Sequence, residues 1–68
     1  MIKISEREKE VLISISFGLT VTEIAKRLYL SANTIATHKK NLFAKLDVAN
    51  SPQLVRKGFL MGYLSLED

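Results

Sequence analysis

Residues 31–40 read SANTIATHKK, and how this stretch folds decides how the chain folds. Ser31 suits the position just before a helix, because its hydroxyl oxygen can accept from one of the first free amides. Leu30 and Ile35 stand where a hydrophobic staple across such a start requires them. At about 100° per residue, Ile35, Leu42 and Leu46 share one narrow arc, with His38 and Lys45 on its flank. The opposite arc holds Asn33, Ala36, Thr37, Lys40, Asn41 and Ala44. A helix is predicted over about 32–46, with a core face on one side. Its other side is small, hydrogen-bonding or cationic and carries no carboxylate, whereas an ordinary solvated helix face gains from Glu–Lys pairs.

The residues before Ser31 explain what this helix packs against. Thr20-x-x-Glu23 is a capping box, with Leu19 and Ile24 as its staple, and it opens a helix over about 21–28. Only Tyr29, Leu30 and Ser31 separate the two helices, so they cannot lie antiparallel. A connection this short gives the large crossing angle of a helix-turn-helix. Ala25 permits close approach there. Many such turns carry Gly where this chain has Tyr29. Further out, Ser5-x-x-Glu8 is a second capping box, opening a helix over about 6–17 that ends at Gly18. Asn50-x-x-Gln53 opens a fourth over about 51–61, with Pro52 tolerated in its first turn and Gly62 as its stop. No segment alternates at period two. The expected fold is all-α, four helices in a single domain over 1–68.

Sixty-eight residues place the core near the lower limit for independent folding. No cysteine is present, so neither disulfides nor thiolate metal sites contribute. The most apolar run, Val11 to Leu19, is too short to span a bilayer, and no signal peptide is visible, which fits a cytoplasmic protein. The net charge is +3, but Ile24–Leu46 carries five cations (Lys26, Arg27, Lys39, Lys40, Lys45) and no acid, leaving the remainder at −2. A one-signed segment within a folded domain suits a polyanion. A major groove asks for a helix face that is short, donor-rich and free of negative charge, and the outer arc of residues 32–46 meets that description.

Across residues 4 to about 64 the chain resembles the LuxR-type (GerE-type) helix-turn-helix domain of bacterial transcriptional regulators. The resemblance is carried by SEREKEVL at 5–12, Gly18-Leu19-Thr20, Glu23-Ile24-Ala25, Leu28, Leu30-Ser31, Thr34-Ile35, His38, Asn41-Leu42, Lys45-Leu46, Val48 and Gln53-Leu54-Val55. It implies a four-helix domain whose third helix enters the major groove of double-stranded DNA, with bases read from Ala36, Thr37 and Lys40, and from Asn33 on the same face. It implies phosphate contacts from Thr20, Val21 and Thr22, from Ser31 and Thr34, and from Lys26, Lys39, Asn41 and Lys45 nearby. It also implies weak homodimerisation through the fourth helix, for which Gln53, Arg56, Leu60 and Met61 are candidates, and RNA polymerase as a further partner. Whole proteins of this kind usually carry a receiver or ligand-binding domain ahead of this one. Three positions depart from the family: Ala36 where Lys or Arg is frequent, Ser51 where Arg is frequent, and Gly58 where Ala is usual. Gly58 lowers helix propensity by about 1 kcal/mol, so a softer fourth helix is expected.

Other residues are read as structural. His38, the sole histidine, has no Asp or Glu within a helical turn and reads as a packing residue, not a metal ligand or base. Lys45 is expected to lay its stem on the core and extend its ammonium to phosphate. Phe17, Phe43 and Phe59 are expected in the core. Leu60, Met61 and Tyr63 either close the core or form a dimer seam. With no phosphate loop, paired carboxylates or nucleophile beside a base, an enzyme is not expected, nor is a metal, cofactor or small-molecule ligand. Two alternatives remain: a helical adaptor that turns the basic face of the second and third helices to an acidic protein, and a sigma-factor region-4 module, whose helix-turn-helix fits residues 34–46 less well.

Overall fold

The computed structural model describes residues 3–66. Among them are four helices and no strand: α1 Glu6–Ser16, α2 Val21–Leu28, α3 Ala32–Leu46 and α4 Ser51–Leu60. Each start is chemically fixed. Ser5 Oγ accepts from the Glu8 amide at 3.1 Å while Glu8 Oε1 accepts from the Ser5 amide at 2.8 Å. Thr20 and Glu23 repeat the exchange at 3.2 and 2.8 Å. Ser31 Oγ accepts from the Thr34 amide at 3.1 Å, and Asn50 Oδ1 from the Gln53 amide at 2.9 Å. The cap of the fourth helix departs from a reciprocal box. Gln53 Oε1 accepts from the amide of Ala49, not Asn50, at 2.8 Å, so this cap anchors the preceding loop.

The ends share one device. After each helix a residue takes positive φ, and the amide beyond it reaches back to a carbonyl five residues earlier. These bonds are Leu19 to Ser14, Leu30 to Ala25, Val48 to Phe43 and Tyr63 to Gly58. The positive-φ residues are Gly18, Tyr29, Asp47 and Gly62.

α1, α2 and α4 each contribute a face to the core against α3, which packs on all three. Ile35, Leu42 and Leu46 of α3 are fully buried with Val11 and Leu12 of α1, Ile24 and Ala25 of α2, and Leu54 of α4. Each large aliphatic there contributes about 1.5–3 kcal/mol by burial. Because its inner face is occupied along its whole length, α3 can present only the opposite face to a partner.

Two expectations about packing are corrected, those that placed Phe17 and Phe59 in the core. Phe17 is 66% exposed and Phe59 37% exposed; Phe17 follows the last turn of α1, where the chain has already turned away from the core. Phe43 is half-buried against it. Leu60 and Met61 are exposed, and the chain closes the core instead with Leu64, which folds back over α4 with Tyr63 packed beside it. Gly58 is the seat for that return: a Cβ there would stand 2.8 Å from Leu64 Cδ1 and 3.3 Å from Leu12 Cδ2. The glycine that looked like a weakness of the helix is what admits the last core residue.

Candidate nucleic-acid interface

The outer face of α3 is built by exclusion. With Ile35, Leu42 and Leu46 turned inward, Asn33, Ala36, Thr37, Lys40, Asn41 and Ala44 are all exposed. The side chains of Asn33, Lys40 and Asn41 have no hydrogen-bond or ion-pair partner among the described residues. Thr37 differs: its Oγ1 donates to the Asn33 carbonyl at 3.0 Å, so its hydroxyl proton is already used within the helix. No acid stands in the first turn of α3.

The helix starts lie beside this face. In α3 the amides of Ala32 and Asn33 precede the capped Thr34 amide and have no acceptor within the described protein. Ser31 Oγ and Thr34 Oγ1 lie 2.9 Å apart, a hydroxyl pair next to those amides. Such a helix start favours anions. In α2 the amides of Val21 and Thr22 are similarly free, Thr20 and Thr22 are exposed and Val21 is half-buried. The α2 start is less positive, because Glu23 lies in its first turn. The Thr20 amide, then the Thr20 hydroxyl, bind the Glu23 carboxylate and lower its pKa below the ordinary value.

The cations divide into two groups. Lys40 is exposed and unpaired among the described residues, Lys26 is exposed with its charge acting on the Glu23 carboxylate, and Lys39 holds its Nζ 5.8 Å from the centre of the Phe43 ring, a cation–π contact that keeps it on the flank of α3. Lys45 already has a partner within the domain. Its Nζ lies 2.8 Å from Glu8 Oε1 and 3.5 Å from the Lys3 carbonyl, so it faces α1, away from the outer arc. Glu8 is almost wholly buried. Burial alone would raise its pKa; the Lys45 hydrogen bond, the Ser5 amide and the Lys45 charge outweigh that and lower it. The spacing of Ser5 and Glu8 revealed the cap, but no local pattern links Glu8 to a lysine 37 positions later.

His38 is half-buried on α3, and among the described residues no group of His, Asp and Glu is arranged to hold a metal. On α4, the dimer candidates Gln53, Arg56, Leu60 and Met61 are all exposed, with the Gln53 carbonyl oxygen already engaged by Ala49. No described helix is long and apolar enough to cross a membrane.

A short turn, an α2 that braces α3, and an α3 open on one side define a helix-turn-helix domain. The bacterial regulatory proteins of the luxR family, under the family description GerE, match over residues 3–57, and the chain belongs to that family. It is 44% identical over 52 residues to the CsgBAC operon transcriptional regulatory protein of Escherichia coli K12, covering 76% of this chain and 24% of that protein. It is 38% identical over 64 residues to the E. coli response regulatory protein YgeK, covering 94% of this chain and 44% of YgeK. The chain thus spans less than half the length of these relatives. Among solved structures it resembles the Vibrio cholerae VqmA dimer without target DNA, a LuxR-type receptor, with TM-score 0.87 and 25% identity over 93% of this chain and 28% of that one. It also resembles the VqmA–ligand–DNA complex, with TM-score 0.82 and 26% identity over 90% of this chain and 27% of that one.

Proposed function

We propose that this domain reads double-stranded DNA by placing the outer face of α3 in the major groove, and that it serves as the DNA-binding part of a bacterial transcriptional regulator. The observation that carries the reading is that face itself, exposed, carboxylate-free and with Asn33, Lys40 and Asn41 unengaged. Lys40 suits the acceptors of guanine, and Asn33 suits a donor–acceptor edge such as that of adenine. Ala36 offers only apolar contact, which suits a thymine methyl group, and the exposed Thr37 has a methyl group of the same chemistry. Phosphates are received by the free amides at the two helix starts, with Thr20, Val21 and Thr22 on α2 and Ser31 and Thr34 on α3, and by Lys26, Lys39 and Asn41. With Lys45 engaged by Glu8, it is removed from that set.

Two copies would meet through Gln53, Arg56, Leu60 and Met61 of α4 when adjacent half-sites raise their effective concentration. The protein acts by binding in the cytoplasm, at the nucleoid, with RNA polymerase as the machinery it influences, and not by catalysis. Neutralising roughly 3–4 phosphates per protomer makes log K fall with log salt at a slope of about −3 to −4. Fluorescence anisotropy with labelled duplexes measures that slope. A flat salt response would remove DNA as the partner and favour an acidic protein on the same face.

A further inference from the structure

The four helices end alike but not with like residues. Gly18 and Gly62 take positive φ without a steric penalty, and Asp47, at φ 55, is of a type that tolerates the left-handed region. Tyr29, at φ 57 and ψ 42, is neither. Its Cβ crowds the following carbonyl in that conformation, and its side chain is 94% exposed, so the ring contributes almost nothing to the core in exchange.

Its surroundings indicate what it serves. Tyr29 stands in the connection between α2 and α3, one turn after the exposed Lys26 and two residues before Ser31. The free amides of Ala32 and Asn33 follow. This end of α3 has no acid in its first turn, so the groups around Tyr29 suit an anion. A phenol carries its hydroxyl donor on a rigid arm with two χ angles to fix, and tyrosine hydroxyls are among the groups that contact DNA phosphates. We propose that Tyr29 is a DNA-contacting residue, its hydroxyl donating to a backbone phosphate beside the bases read by α3. This rests on the DNA-binding reading above.

The test uses the whole chain with Tyr29→Phe, Tyr29→Gly and, as a reference, Lys39→Ala, each measured for melting temperature, affinity on a duplex selected with the unmodified protein, and salt slope. Tyr29→Phe keeps ring and backbone and removes one donor. It is expected to lower affinity about three- to tenfold, equally for all sequences, with the melting temperature unchanged. The salt slope also stays unchanged, because a neutral hydroxyl releases no counterion, whereas Lys39→Ala, the loss of a phosphate contact, reduces it by about one. Tyr29→Gly is expected to raise the melting temperature while lowering affinity at least as far. If both Tyr29 variants bind like the unmodified chain, the assignment is overturned while DNA binding stands. Loss with Tyr29→Gly alone overturns the hydroxyl's role. If the unmodified chain binds no duplex, both readings fail together.

Discussion

α1 and α3 are neighbours that treat their polar groups in opposite ways. α1 carries three glutamates, and two of them are engaged: Glu8 in its cap and with Lys45, Glu10 with Arg7 at 3.5 Å. α3 carries four cationic or amide side chains, Asn33, Lys39, Lys40 and Asn41, on or beside its outer arc and no acid within its span; only Lys39 has an internal partner, the Phe43 ring. α1 is complete within the domain, while α3 leaves its donors for something outside. Lys45 marks the boundary between them, since it belongs to α3 by sequence and to α1 by contact. A polar residue's role therefore follows from the face it occupies, not from the charge of the segment that carries it.

The sharpest way to break this contrast is Lys40→Ala. It should lower affinity for the best site by about 1–3 kcal/mol and relax preference at one base pair. Lys39→Ala, on the flank near Phe43, should weaken all sequences alike, and Ala36→Arg should introduce a preference for guanine at a neighbouring position. Selection of bound sites from random duplexes compares the three. Uniform losses from both lysines and an unchanged sequence with Ala36→Arg would mean that the outer arc does not face the bases.

Lys45→Met keeps an apolar stem and removes the ammonium. It should destabilise the fold by about 1–2 kcal/mol, because Glu8 is left buried with one partner fewer; the partial exposure of Lys45 keeps the loss below that of a fully buried pair. DNA affinity of the folded fraction should not change. Thermal melting and binding isotherms separate the two effects, and a loss of affinity at constant melting temperature would return Lys45 to the phosphate contacts.

A smaller effect follows from acidity. The Glu8 carboxyl titrates below its ordinary value of 4.5 in the folded state, so the unfolded chain binds the proton first as pH falls. Its stabilisation is complete above about pH 4.5 to 5 and is lost as pH falls through the lowered folded pKa. Glu8→Gln should flatten that part of the acid-unfolding curve, followed by circular dichroism between about pH 6 and 2. The exposed Glu23, also lowered by its capping bonds, contributes in the same direction in the parent and in the variant.

The helices and their starts were legible because each rests on residues three or four apart: Ser5 with Glu8, Thr20 with Glu23, Ser31 with Thr34. The face of α3 was legible for the same reason, since Ile35, Leu42 and Leu46 fix its rotation. What was misread depends on contacts far apart in sequence. Lys45 looked free because Glu8 lies 37 positions away. Phe17 looked like core because an aromatic usually is, yet it falls just beyond the last turn of α1. Gly58 looked like a flaw because helix propensity is local, and Leu64 approaches it from the chain's return. Tyr29 stands where glycine is common in such turns, and its physical meaning comes from its positive φ and its exposure.

The return of residues 61–66 also bears on where this unit can be divided. The family match ends at residue 57, one position before the glycine on which Leu64 sits. A piece trimmed to that limit would keep every group of the α3 face and both helix starts, yet would strip the cover from Leu12. The family model thus covers the α3 face and both helix starts, while Leu64, which completes the core, lies several residues further. An engineer joining this domain to another protein would have to leave that tail its own room against α4 and place any linker after it.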